Sequence, residues 1–472
     1  FTSIQGENMP FTAMMNLVLA IVFLSVAAGE TSDLQNKIQE AFQKIAEEKS
    51  AKYNCSISIA LRAADLQVSA AHGITNFETG RQAQVSDRYA WGSITKLLTG
   101  ASILRLVASG AFGLDDAVAP LVDPMLAKMA KANPKMTFAS MADLWGEANV
   151  STTTVIELLS MHSRVPDFDT AVPSFNGRSA IDSLRDTLYK RGRTGLSPAD
   201  LLSLPWVAHS WNAECKRFMP LVKPFCYSST NFILLGLILA FHGGADSPET
   251  FDQRSLLPES LRDRFHFPMH GTPEDVDAVH GYDRTSYNMG GKGELADHDN
   301  SETGGVFSGW TASNLVADPS SVAELTWQLF GPPKAIAPEK YVDMMPPKGL
   351  DVLGVAAYGL ATCNFNFHTG HVGKYGVAYG HSGATYGYQS ITVYFPAMKF
   401  ALSVATNIET DFQQQPAEAL CFAYNEAAGL ILGKTPRCVY KVVKQYYTSG
   451  CLCKPFGVAE PFDPLADASF IV

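Results

Sequence analysis

A serine stands three residues ahead of a lysine in Ser93-Ile94-Thr95-Lys96, at the front of an apolar stretch. The spacing from Ser93 to Val107 predicts a helix ending at Ser109-Gly110. Residues i and i+3 share a helix face, so Lys96 can hold its amine beside the Ser93 hydroxyl. Unpaired N–H groups in a first helical turn stabilise a developing negative charge. A lysine whose pKa is lowered by burial can take the serine proton, and the resulting chemistry is nucleophilic attack on a carbonyl. The same residues also fit a capping serine beside a lysine that lays its stem over apolar surface.

Two further segments carry polar groups suited to that chemistry. Tyr227-Ser228-Ser229 precedes an apolar run from Asn231 to Phe241 that reads as a helix. A phenol beside the lysine can take a proton from serine or from attacking water; packing before a helix is the plainer use of Tyr227. Gly380-His381-Ser382-Gly383-Ala384 looks like a Gly-x-Ser-x-Gly elbow, but such an elbow needs a histidine later in the chain and His381 is the last. Ser382 is therefore a substrate-facing or structural hydroxyl. The pairs His266/His270 and His368/His371 lack His-Glu-x-x-His spacing, and no metal is expected. In Gly290-Gly291-Lys292-Gly293 the lysine is followed by glycine, which makes a turn rather than a phosphate loop.

These residues need a scaffold, and the chain supplies one. Its 472 residues, 46% apolar and 17% charged, suit one large domain or two modest ones. A net charge of −10, without a long basic run, argues against nucleic acid as partner. The segment from Leu34 to Lys52 reads as an amphipathic helix, followed by a hairpin of Cys55 to Leu61 and Gln67 to His72. From Ala111 to about Ser308 the pattern turns helical and loop-rich, with one helix from Val155 to Ser160 and long surface loops from Ala245 to Thr303. A helix over Asp318 to Gly331 precedes β-prone runs at Ala356 to Thr362, Gly387 to Phe395 and Lys399 to Thr406, and Pro416 to Ile431 closes the domain as a helix. Sheet material at both ends with helices between implies an α+β fold: an antiparallel sheet flanked by helices, with an inserted, mostly helical lobe.

At the N-terminus, the apolar run from Met14 to Ala28 reads as a signal peptide over residues 1–28, with small residues at Val26 and Ala28 for cleavage; an uncleaved membrane tether is the alternative. The expectation is a secreted or secretory-pathway protein with no stable membrane partner once the signal is removed. Eight cysteines and the sequons Asn54-Cys55-Ser56 and Asn149-Val150-Ser151 fit that route, through disulfides and glycosylation, although buried thiols are the alternative for the cysteines. A domain over 29–433 is then followed by a cysteine-bearing extension over 434–472, whose Asp463 to Asp467 stretch reads as a solvated tail.

The run Tyr89-Ala90-Trp91-Gly92-Ser93-Ile94-Thr95-Lys96-Leu97-Leu98 resembles the nucleophile motif of the serine beta-lactamase-like and penicillin-binding family, in its class C-like esterase or D-amino-acid peptidase branch. The resemblance spans about residues 50–430 and includes Ala108 to Val118, and Leu158-Leu159 through Val165-Pro166-Asp167, where Met161 and Arg164 replace the usual His and Gly. Tyr227-Ser228-Ser229 is similar to the family's Tyr-x-Asn motif, with Ser229 in the Asn position. Gly380-His381-Ser382-Gly383-Ala384 is similar to its His-x-Gly strand. The resemblance implies acyl transfer without cofactor: Ser93 as nucleophile, Lys96 and Tyr227 handling the proton, His381 aiding them or the substrate, and the amides of Ser93 and Ala384 as oxyanion hole. Ser229, Ser382 and Gly383 then face a small-molecule or peptide ester or amide. Esterase or amidase activity is the first expectation; a beta-lactamase, a D-amino-acid peptidase, or a silent member that binds a ligand or protein are the alternatives.

Overall fold

A computed structural model describes residues 11–169, 174–175, 178–211, 225–285, 287, 298–347, 358–365, 375, 377–411, 414–433 and 438. Its principal elements in chain order are α1 (Phe11–Tyr53), β1 (Ile57–Ala63), β2 (Gln67–His72), α2 (Thr95–Ala108), α3 (Ala119–Ala132), α4 (Val155–Leu159), α5 (Ala180–Arg191), α6 (Thr230–His242), α7 (Pro319–Phe330), β3 (Cys363–Asn364), β4 (Tyr379–Thr385), β5 (Tyr388–Phe395), β6 (Phe400–Thr406) and α8 (Gln414–Leu432).

The six strands form one antiparallel sheet in the order β3-β4-β5-β6-β1-β2, so the N-terminal hairpin joins the C-terminal strands through the β1–β6 pair, Ile57 opposite Thr406 to Ala63 opposite Phe400. The C-terminal half of α1 packs with α8 against the sheet. Its buried residues Ile38, Phe42 and Ile45 recur at helical spacing, and Lys52 and Tyr53 bond Glu418 of α8 at 2.7 and 2.6 Å. Helix α7 packs on β1, β5 and β6; Asp318 caps it by accepting the Ser321 N–H at 3.0 Å, and Pro319 occupies its first turn. With helices packed on the sheet, β5 and β6 are buried throughout and lack an alternating pattern.

The chain between β2 and α7 forms the mostly helical lobe. Helices α2 and α6 are its centre, and both are apolar and buried around most of their circumference. In their described part, the expected loops from Ala245 to Thr303 are more ordered than their composition suggests: short 3₁₀ turns, such as Gln253–Leu256 and Glu259–Arg264, alternate with two-residue strands, and Asp283 and Asn300 are fully buried. Long-range partners order this stretch, as where Tyr282 N–H donates to Asn407 O at 2.9 Å. The run expected as a strand over Ala356 to Thr362 supplies, in its described part, only a bridge from Tyr358 to Cys363; the strand itself is Cys363–Asn364.

Cys421 and Cys438 are joined in a disulfide, Cys226 and Cys363 are also disulfide-bonded, and Cys55 is free, its thiol pushed up to about 12 by burial. Cys215, Cys451, Cys453, His368, His371, the row Gly290 to Gly293 and the tail Asp463 to Asp467 lie outside the described residues. Among the described residues no helix is long and apolar enough to cross a membrane.

Candidate active site

Ser93 lies two residues ahead of α2 in a tight turn, where Thr95 N–H bonds Gly92 O and Lys96 N–H bonds Ser93 O, each at 3.0 Å. In such a 3₁₀ turn residues i and i+3 eclipse, which sets the lysine stem directly over the serine. Lys96 Nζ lies 2.9 Å from Ser93 Oγ. Two more oxygens complete its surroundings: Ser229 Oγ at 3.2 Å and the Ala312 carbonyl at 3.0 Å. Lys96 is fully buried, and burial lowers its pKa to about 8 although Asp169 and Asp167 pull it upward. A neutral amine suits this geometry, because two N–H bonds can go to Ser229 and Ala312 while the lone pair accepts the Ser93 proton.

Tyr227 and Ser229 enter at the start of α6, which packs against α2. Ser229 is the N-cap residue of α6, yet its side chain makes no cap bond. Its hydroxyl instead accepts from Lys96. Tyr227 lies with its ring 5.1 Å from Lys96 Nζ. Its buried hydroxyl has no hydrogen-bond partner among the described residues. Burial holds this phenol well above its usual pKa, and the nearby Ser93 hydroxyl pulls the other way.

Strand β4 brings the third segment. Its backbone passes against the residues before Ser93 so closely that a side chain at Gly383 would begin 1.9 Å from Trp91 O, and one at Gly92 2.5 Å from Ala384 O. Those two glycines are what let the Ala384 main chain approach the nucleophile turn, and Ser390 Oγ adds a bond to Trp91 O at 2.9 Å. His381 is fully buried and does not bond Ser93 or Tyr227: Nδ1 donates to Ser382 O at 2.5 Å, and Nε2 accepts from Tyr358 OH at 3.2 Å. Burial, with Lys96 nearby, lowers its pKa to about 3, so the ring is neutral. Its ring stands 6.4 Å from that of Tyr227. Ser382 is also buried. Ser93, Lys96, Tyr227, Ser229 and the Gly383-Ala384 edge thus converge, while His381 backs the tyrosine through Tyr358.

Sequence reasoning missed a pair of carboxyls. Asp167 is buried and accepts the Ser229 N–H at 2.8 Å. Burial and the neighbouring Asp169 raise its pKa well above the usual range. Asp169 is raised as well, by burial, against the downward pull of Lys96, Asp167 and the Ser229 hydroxyl. The one sequence signal was two acids, two residues apart, in the otherwise apolar Val165-Pro166-Asp167-Phe168-Asp169. The Ala312 carbonyl gave no signal, since every residue has one. Met161 and Arg164, which stand where the resemblance expects His and Gly, both have positive φ, of 62° and 64°. The Met161 sulfur accepts the Ser228 N–H at 3.3 Å, tying this turn to the Tyr227 segment.

The beta-lactamase family model matches residues 56–420, and the chain belongs to that family. Its fold is similar to that of D-amino acid amidase from Ochrobactrum anthropi SV3, solved with D-phenylalanine, at 17% identity over 83% of this chain and 98% of that one, with a TM-score of 0.59. The octameric penicillin-binding protein homologue from Pyrococcus abyssi has 21% identity over 84% of this chain and 77% of its own, with a TM-score of 0.58. A D-stereospecific amidohydrolase from Streptomyces sp. has 18% identity over 81% and 98%, also with a TM-score of 0.58. No curated protein matches the chain.

Proposed function

We propose that the protein is a serine hydrolase that opens amide or ester bonds of small substrates through an acyl group carried on Ser93. The observation that carries this reading is the 2.9 Å contact between the Ser93 hydroxyl and a buried lysine whose pKa is lowered toward neutrality. Ser93 attacks the carbonyl, Lys96 takes its proton, and the unpartnered Tyr227 hydroxyl is placed to pass a proton to the leaving group or from water. The amides of Ser93 and Ala384 hold the oxyanion; one such donor is worth roughly 3 kcal/mol in a comparable hydrolase. Ser229 and Gly383 border the substrate. His381, neutral and bonded to Tyr358, holds the Tyr358 ring that packs edge-on against Tyr227. Amino acid amides are the first substrates to try, because the proteins of similar fold include a D-amino acid amidase and a D-stereospecific amidohydrolase.

The test is to react the full chain with a fluorophosphonate and to assay a panel of amino acid amides and esters of both configurations, with Ser93→Ala as control. The expected outcome is one adduct on Ser93 and turnover that the control lacks. No adduct, under conditions that label an active relative, would overturn the reading in favour of a binding module that keeps the cleft without the chemistry. Turnover surviving in Ser93→Ala would show that the nucleophile lies elsewhere.

A further inference from the structure

Ala384 is the last residue but one of β4, and the β4–β5 ladder ends one residue later, at Thr385 opposite Tyr388. Tyr386 and Gly387 therefore form a two-residue tip. On its upstream side Ala384 is fixed, since β4 lies against the nucleophile turn at Gly383 and Gly92. On its downstream side the ladder gives no further bonds. Gly387 is buried there with φ 90°, and a side chain on it would begin 2.5 Å from the Gly281 main chain, so only glycine fits. Its N–H lies beyond the ladder and needs an acceptor of its own.

That acceptor is a buried carboxylate. Glu409 Oε2 takes the Gly387 N–H at 3.1 Å and Arg185 Nη1 at 2.9 Å, while Glu409 Oε1 takes Arg185 Nη2 at 2.5 Å. Glu409 itself stands on a short strand, Ile408–Glu409, paired in parallel with Tyr282–Asp283, and the Tyr282 N–H donates to Gly387 O at 3.1 Å. The Arg185 guanidinium lies 4.9 Å from the centre of the Tyr386 ring. Both tip residues thus touch one ion pair, Tyr386 through its ring and Gly387 through its N–H.

A carboxylate whose two oxygens meet a guanidinium side by side has one orientation, so the Gly387 N–H is bonded to an oxygen that is itself fixed. Without that oxygen the buried N–H would be left unpaired, and the tip would shift to find another acceptor. An oxyanion-hole donor works only where it already points at the developing charge, and small displacements weaken it. We propose that Glu409, by holding the Gly387 N–H, sets the position of the Ala384 amide three residues upstream and so is a positioning residue for acyl transfer at Ser93. The catalytic part of this role rests on the oxyanion hole of the proposed function; the tie between Glu409 and the Ala384 main chain does not.

The test uses Glu409→Gln, Glu409→Asp and Glu409→Leu in the full chain. Glutamine brings one oxygen, which serves Gly387 and Arg185 Nη1 from the Oε2 place but only Arg185 Nη2 from the Oε1 place, so the tip bond survives. Aspartate keeps the charge beside Arg185 but falls short by one methylene, and leucine removes charge and oxygen together. Glu409→Asp and Glu409→Leu slow fluorophosphonate labelling of Ser93 by roughly 10- to 100-fold, less than deleting a donor outright, and Glu409→Gln restores most of the rate. Glu418→Leu, which loses the bonds to Lys52 and Tyr53 and leaves the tip bond in place, labels as fast as the unaltered chain. The Ala384 amide is followed by NMR of 15N-alanine-labelled protein, its signal assigned by its loss in Ala384→Gly; it moves in the Asp and Leu variants and not in Gln. The Asp and Gln variants both keep a polar partner for Arg185, so their comparison holds if Glu409→Leu does not fold. Equal rates in all Glu409 variants, or slowing in Gln but not in Asp, overturns the proposal. A moved Ala384 signal with an unlabelled serine in the unaltered chain sinks the hydrolase and this catalytic role while the tie stands, whereas a labelled serine with an unmoved Ala384 signal sinks the positioning role alone.

Discussion

Two of the buried cations, Lys96 and Arg185, differ in the distance to their counter-charges. Arg185 on α5 is clamped directly, by Asp283 at 2.7 Å and by Glu409 through bonds of 2.9 and 2.5 Å, with Tyr189 donating to the same Asp283 at 2.5 Å. Burial opposes its charge, but the adjacent carboxylates hold its pKa well above the ordinary value. Lys96, equally buried, donates to three neutral oxygens, and its nearest acids stand beyond Ser229. There burial wins, and the amine falls to about 8. A buried cation thus keeps its charge or is pushed toward neutrality according to whether a counter-charge is in contact with it.

Replacing each cation by a similar-sized apolar residue gives opposite outcomes. Lys96→Met should lower kcat/KM by roughly 10²- to 10⁴-fold, the usual weight of a proton-transfer group, while its unfolding midpoint does not fall, because no carboxylate is left in contact with a vacated charge. Arg185→Met should do the reverse and destabilise the protein by about 3–5 kcal/mol in denaturant unfolding, since Asp283 and Glu409 would remain buried without their cation. A Lys96→Met protein that unfolds as readily as Arg185→Met would erase the contrast.

The pH profile sharpens it further. Lys96 must be neutral to accept the Ser93 proton, so kcat/KM should rise with pH through a limb near 8. His381, held neutral down to about 3, should add no step in the range where an ordinary histidine titrates. A step between about pH 6 and 7 that disappears in His381→Asn would contradict its burial as a neutral ring. The smallest effect concerns the backbone under the site: Arg164 has φ 64°, and Arg164→Gly should raise stability by about 1 kcal/mol, measured by the same unfolding, through relief of left-handed strain.

Much of the scaffold was legible because it follows local periodicity. The hairpin, the helices that became α2, α6, α7 and α8, and the return of the C-terminal strands to the sheet are where alternation and 3.6-residue spacing put them. The stretch from Ala245 to Thr303 was not legible as ordered structure, since its Asp283 and Asn300 look solvated until Arg185 and Tyr189 are known to be beside them. Asp167 and Asp169 were hidden for the same reason: acids in a proline-containing turn read as surface unless another part of the chain buries them.

By its sequence alone the chain determined that Ser93 and Lys96 would meet, because three residues in a helical turn bring two side chains together wherever that turn is placed. Only the tertiary structure decided what that pair can do. Ser229 lies 133 residues from Lys96, and the two acids belong to yet another segment, so the burial that lowers the amine and the hydroxyl that accepts its hydrogen bond arise from packing between segments. Local rules set backbone shape, whereas the dielectric around a charge depends on what the rest of the fold excludes.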